Sequence, residues 1–209
     1  MLPQLLIGAS LAAAALQDVR TRTVEDRVWI PAAAGAAIAL SANFWTAMIE
    51  GVTVQVQGYL LKLLIFVPLL VVTWAFMRFG QADLIALVLI AFDPYLQSLL
   101  YTVVGFGVAF AAHAAWLVRH GLWPGKRVMQ YSDFKRDHRW IPRALIEGER
   151  RVELSSDVNR AFDEVQATSG AQRVEVEYGV PQVAYIAVGY VSYVVYLLLF
   201  SPGVLSAFP

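Results

Sequence analysis

The sequence predicts an all-α polytopic membrane protein of about six transmembrane helices, with a small α+β insertion between the fifth and the sixth. The first reason is composition: of 209 residues, 58% are hydrophobic and 15% charged, with a mean hydropathy of +0.57. Soluble domains carry about 25% charged residues, so the deficit belongs to the membrane class. The second is a series of apolar runs of near-helical length, parted by short polar turns. The third is charge placement. If six helices alternate across a bilayer, fifteen of the 16 Lys and Arg residues fall on one side, and Lys62 is the exception.

The first run, residues 2–17, spans only about 24 Å at 1.5 Å per residue, short of a ~30 Å hydrocarbon core. Asp18, which follows it, is therefore expected slightly inside the interface. No Lys or Arg precedes this run, whereas a signal peptide needs a basic start; a retained helix with its N-terminus outward is expected. The second run, 28–48, carries small residues from Ala32 to Ala37 that permit close packing. The third, 58–79, contains Pro68, a potential kink. The fourth is short, 83–92, and Asp93-Pro94 reads as a turn. In the fifth, 96–118, Gly105 and Ala109 are spaced for a close helix contact. The sixth begins near Pro181, in the favoured first-turn position, and ends near Phe200.

Residues 120–179 hold most of the charges. Arg151 to Leu154 and Arg173 to Tyr178 alternate as strands do. Between them Ser155 or Ser156 is placed to cap a helix from Asp157 to Thr168, with Val158, Ala161, Phe162 and Val165 on one face and Gly170 ending it. The expected division is 1–119 as membrane core, 120–179 as a small α+β region and 180–209 as last helix and tail. The positive-inside rule makes the basic side cytoplasmic, giving a multi-pass plasma-membrane protein with a cytoplasmic insertion and both termini outside. With no cysteine, disulfides, thiolate metal sites and cysteine nucleophiles are excluded. No basic face interleaved with aromatics and no Gly-rich phosphate loop points to nucleic acid.

Two carboxylates stand where carboxylates are costly. Asp18 follows the first apolar run, and Asp83 follows Phe79-Gly80-Gln81-Ala82 at the start of the fourth. Singly, each has a structural reading: Asp83 as the N-cap of a helix, Asp18 as a helix-ending polar residue neutralised by Arg20 or Arg22. Together they occupy the same expected depth on the same side, where ionisable groups are functional candidates. A close carboxyl pair shares one proton because like charges resist double ionisation, and it titrates as a unit. Such a pair can hydrolyse a peptide: the ionised member takes a proton from water while the protonated one polarises the carbonyl.

The stretch Gln17-Asp18-Val19-Arg20-Thr21-Arg22-Thr23-Val24-Glu25-Asp26-Arg27-Val28-Trp29, with Gly80-Gln81-Ala82-Asp83, resembles the archaeal preflagellin and type IV prepilin peptidases. These are membrane aspartyl proteases with a Gly-x-Gly-Asp motif. Tyr178-Gly179-Val180-Pro181 before the last helix is also similar to theirs. The resemblance implies Asp18 and Asp83 as the catalytic pair, and Gly80 and Ala82 as the motif backbone, with Ala82 standing at the second glycine position. It implies precursor pilins or archaellins with short basic leader peptides as substrates, cut at the cytoplasmic face. No metal or organic cofactor is implied. Glu25 and Asp26 are expected either to hold the basic leader residues, through a partly desolvated ion pair, or to cap the second helix. Rival readings are a proton- or cation-coupled transporter using the same aspartates, and a non-catalytic scaffold docking a partner through residues 120–179. Oligomeric state is not legible.

Other polar and aromatic residues carry structural expectations. Arg20 and Arg22 are expected to set orientation and touch lipid phosphates. His113 is expected to be packed and hydrogen-bonded. Glu50 and Asp93 are expected to be solvated on the outer side. Trp29, Trp45, Trp123 and Trp140 are read as interface anchors, and Tyr185, Tyr190, Tyr193 and Tyr196 as packing of the last helix.

Overall fold

The computed structural model describes residues 1–51, 54–77, 80–122, 126–136, 140–148, 150–155, 158–168 and 173–200. The expectations placed on Arg78, Phe79, Trp123, Ser156, Asp157 and Gly170 lie outside the described residues. The chain is mostly helical, with a small sheet. Its elements are α1 (Leu2–Thr21), a 3-10 turn (Asp26–Trp29), α2 (Ile30–Glu50), α3 (Val54–Met77), α4 (Gln81–Ala91), α5 (Leu96–Arg119), β1 (Lys126–Gln130), α6 (Tyr131–Phe134), β2 (Trp140–Glu147), β3 (Arg150–Glu153), α7 (Val158–Ala167), β4 (Arg173–Tyr178) and α8 (Gln182–Phe200). Among the described residues four helical stretches are long and apolar enough to cross a membrane: Leu2–Thr21, Asp26–Glu50, Leu96–Arg119 and Gln182–Phe200. The stretch Val56–Val72 and α4 are apolar but shorter.

Two boundaries change the local picture. The first helix runs on through Asp18 to Thr21, so Asp18 sits in its last turn and not beyond it. The fourth begins at Gln81, so Asp83 is the third helical residue and not the N-cap.

The chain divides into two compact units. One comprises residues 1–16, 24–110 and 182–209; the other comprises 17–23 and 111–181. In the first unit Ile7, Leu11 and Ala14 of α1, Trp29, Ala32 and Ala36, Ala86, Leu89 and Ile90 of α4, and Val183, Ile186, Ala187, Tyr190 and Val194 of α8 form one core. Trp29, expected at the interface, is buried there. Small residues set how closely these helices approach. A Cβ on Gly35 of α2 would lie 2.8 Å from the Pro3 carbonyl oxygen of α1. The expected contact at Gly105 is with α8: a Cβ there would lie 2.3 Å from Gly189 Cα, and one on Gly189 would lie 2.6 Å from Thr102 Cα. Backbones this close leave room for no side chain. Ser10 of α1 accepts the Ala32 N–H at 2.9 Å, satisfying one of the open donors in the first turn of α2.

The second unit contains a four-stranded sheet in the order β1-β4-β2-β3, with all three pairings antiparallel. Its core is Phe134, Trp140, Leu145, Val165, Val174 and Val176; Trp140 is thus a core residue and not an interface anchor. Ala161 and Val165 are the buried face of α7. The strand and helix expectations for residues 150–178 agree with the structure to within a residue or so at the described ends. Strands β1 and β2 were not legible. The exposed Lys126–Gln130 has no buried alternation. In β2, Pro142 argues against a central strand, and a register shift between Pro142 and Ala144 breaks the period of two, burying both Ala144 and Leu145. On the sheet surface Arg151 reaches Glu175 and Glu153, both at 2.8 Å. The bond from Arg151 holds the Glu175 carboxyl below the usual carboxylate range.

Candidate functional site

Asp18 is 8% and Asp83 7% exposed. They belong to different compact units, Asp18 with residues 17–23 and Asp83 with 24–110.

Asp83 occupies the first turn of α4, and its Oδ2 accepts the Gly80 N–H at 2.9 Å. The bond closes the backbone onto the carboxylate. It places a negative charge at the positive end of a helix dipole. Gly80 lies outside the helix in extended backbone, and a Cβ on it would stand 3.2 Å from Asp83 Oδ2; glycine keeps that space open for the carboxylate. Ala82, by contrast, is inside α4. A methyl group there does not restrict a loop, and alanine is the best helix former.

The Asp18 backbone is bonded by Arg22. Its carbonyl accepts the Arg22 N–H and Arg22 Nη1, both at 3.1 Å. Arg22 has φ 59°, the left-handed conformation in which a helix often ends, though usually on glycine. Its guanidinium lies over the Tyr178 ring, 5.7 Å from the centroid. Arg22 is therefore engaged with protein, where lipid phosphate was expected. His113 is half-buried, with its ring 6.0 Å from that of Tyr178 and 5.7 Å from that of Trp116.

Glu25 and Asp26 are both exposed. Glu25 stands at the N-cap of the 3-10 turn and its side chain makes no capping bond; Asp26 opens that turn. An exposed carboxylate pairs with a cation for about 0–1 kcal/mol, less than the partly desolvated pair expected.

A second polar centre escaped the sequence reading. Asp93, expected to be solvated, is 0% exposed, and Lys62 is 7% exposed. Asp93 Oδ2 accepts the Tyr190 hydroxyl at 2.7 Å, and Oδ1 accepts the Tyr95 N–H at 2.9 Å. The Gln4 side chain also bonds the carboxyl. Lys62 donates to the Asp93 carbonyl and lies in the field of the carboxylate; Tyr59 donates to the Phe92 carbonyl at 3.1 Å. Groups from α1, α3, the α4–α5 turn and α8 thus meet at one point. Tyr190 packs α8 as expected but also carries this bond. One signal was available: Lys62 is the lone cation expected on the outer side, and a lone cation beside an apolar run needs an acid at its own depth.

Among the described residues no three His, Asp or Glu side chains gather as a metal-ligand set. Compared with known proteins, the chain matches no family model, no curated protein and no solved structure.

Proposed function

We propose that this chain is a membrane aspartyl endopeptidase that removes short basic leader peptides from prepilin-like or archaellin-like precursors, with Asp18 and Asp83 as its catalytic pair. The observation that carries the reading is that both motif carboxylates are more than nine-tenths buried at helix ends. Burial raises the energy of a second negative charge, so when the two carboxyls meet across a substrate one of them keeps its proton. The ionised member takes a proton from water, and the water oxygen attacks the scissile carbonyl carbon. The protonated member donates to the carbonyl oxygen, and the tetrahedral species collapses as the amide nitrogen gains a proton and the C–N bond breaks. The arrangement takes six membrane crossings, with α3 and α4 as the shorter two, the insertion in the cytoplasm and both termini outside. The fifteen-to-one placement of Lys and Arg supports that orientation.

Purified protein incubated with a leader-bearing precursor tests this. Wild type cuts it; Asp18→Asn and Asp83→Asn each reduce turnover below detection while the fold persists. Near-normal cleavage by either variant removes that aspartate from catalysis, and an uncut precursor with wild type favours transport or scaffolding. Glu25 and Asp26 meet the leader's basic residues in this reading. Their replacement by Gln and Asn lowers kcat/KM for a basic leader by up to about fivefold, the equivalent of an exposed pair. An equal loss with a neutral leader assigns them no role in recognition.

A further inference from the structure

Residues 17–23 group with the insertion and the end of α5, and the Arg22 side chain lies within that group. Helix α1 ends at Thr21, and the next residue adopts a left-handed backbone that glycine enters freely and an arginine does not. The strain is local and is offset by what the side chain reaches. From φ 59° the Arg22 side chain turns back over the helix end, bonds the Asp18 carbonyl at 3.1 Å and lies 5.7 Å from the Tyr178 ring centroid. Tyr178 is itself fixed: its ring stands edge-on to Trp140, centroids 5.5 Å apart at 88°, and edge-on to His113 at 71°. Trp140 belongs to the sheet core. Arg22 Nε is buried and, among the described residues, finds no hydrogen-bond acceptor. A glycine at this position would remove both the strain and the orphan donor. Strained non-glycine residues persist where the surroundings over-determine them, and they gather at functional sites.

We infer that the insertion is the seat of the Asp18 segment: Arg22, bonded to the Asp18 carbonyl and resting on Tyr178, fixes the last turn of α1, so that Arg22 and Tyr178 are positioning residues for the peptidase reaction. The inference rests on Asp18 being catalytic, as proposed above. Neither residue needs to touch the substrate. A displacement of about 1 Å at a reacting group is worth on the order of a hundredfold in rate, so a loosened helix end is felt in kcat more than in KM. Arginine suits the task because its planar fork can bond a carbonyl and cover an aromatic face at once, which an ammonium cannot.

The test uses the full chain in detergent or lipid, with two readouts. The first is cleavage kinetics on a leader-bearing precursor. The second does not depend on turnover: a nitroxide on Val19→Cys, an exposed site beside Asp18 in a chain without other cysteines, reports the mobility of the last turn. Arg22→Gly and Tyr178→Leu should each lower kcat about tenfold or more, with KM within about threefold, and mobilise the label. Tyr178→Phe keeps the ring and should restore both readouts. The Arg22→Gly, Tyr178→Leu double variant should lose no more than the worse single one, because both break one contact. Additive losses, or a mobile label in none of the variants, overturn the inference. Should Tyr178→Leu fail to fold, Arg22→Gly and Tyr178→Phe decide alone: an immobile label in the former, or a mobile one in the latter, overturns it. If wild type leaves the precursor uncut, the peptidase reading fails, and the label still decides whether Arg22 and Tyr178 hold the Asp18 segment.

Discussion

Asp83 and Asp93 stand at the two ends of α4, on the order of 15 Å apart along its axis, and both are buried. They are held differently. The Asp83 carboxylate bonds a backbone amide three residues away, a tie that lies wholly within the start of its own helix. The Asp93 carboxyl takes a hydroxyl from α8 and the Gln4 side chain from α1, while Lys62 of α3 bonds its backbone. The Asp83 bond closes between near neighbours in sequence, whereas Asp93 is reached from three other helices. Burial alone therefore does not mark a reactive group. A carboxylate on which several helices converge is committed to holding them together. Asp83, by contrast, closes a bond onto the backbone at the start of its own helix, where a charge meets a helix dipole.

The sharpest way to break this comparison is to remove the Asp93 side chain. Asp93→Ala removes the carboxyl that accepts the Tyr190 hydroxyl and the Tyr95 N–H and whose charge acts on the buried Lys62, and each buried group left unpaired costs about 1–3 kcal/mol. Denaturation in detergent should show that loss, and Lys62→Met in the same chain should recover only the part that comes from the uncompensated charge. The comparison collapses if Asp93→Ala is no more destabilising than Asp83→Asn. A smaller effect is expected at Gly189, which precedes Tyr190 and meets Gly105 backbone to backbone. Gly189→Ala forces α5 and α8 apart, for about 1–3 kcal/mol by analogy with overpacked cores. If the thermal midpoint stays unchanged, the helix crossing does not position Tyr190 against Asp93. The smallest effect belongs to Asp83→Asn. Asparagine can still accept the Gly80 N–H, and loss of the charge at the helix end costs about 0.3–1 kcal/mol. Unfolding should barely shift while cleavage is lost; a large drop in stability would place Asp83 in the same class as Asp93.

The apolar runs, the Asp93-Pro94 turn, the Gly105 contact and the alternating strand β4 were legible because each depends on local pattern or on side-chain size. Asp18 and Asp83 were legible as buried carboxylates for the same reason: a charge flanking an apolar run is conspicuous in one dimension. The Asp93 centre was not, because its partners come from residues 4, 62 and 190, and no local period announces three helices meeting at a turn. The role of Arg22 was hidden differently. In sequence it is one more base in a basic loop; only its left-handed backbone and the ring beneath it distinguish it from Arg20. Strand β2 was obscured by a proline and a bulge, which erase the alternation that identifies a strand.

The strand order β1-β4-β2-β3 has a consequence for how the protein is made. The central strand β4 is the last to be synthesised, and it separates β1 from β2. Until Arg173–Tyr178 has emerged, only the β2–β3 hairpin can pair, and β1 has no neighbour. In sequence β4 and α8 are close neighbours, since α8 starts four residues after β4 ends. Completion of the sheet and emergence of the apolar helix α8 are thus nearly simultaneous events. Until then Phe134, Trp140 and Leu145 of the sheet core lack Val174 and Val176, and a pause before residue 173 leaves β1 as an open edge for chaperones or proteases to find.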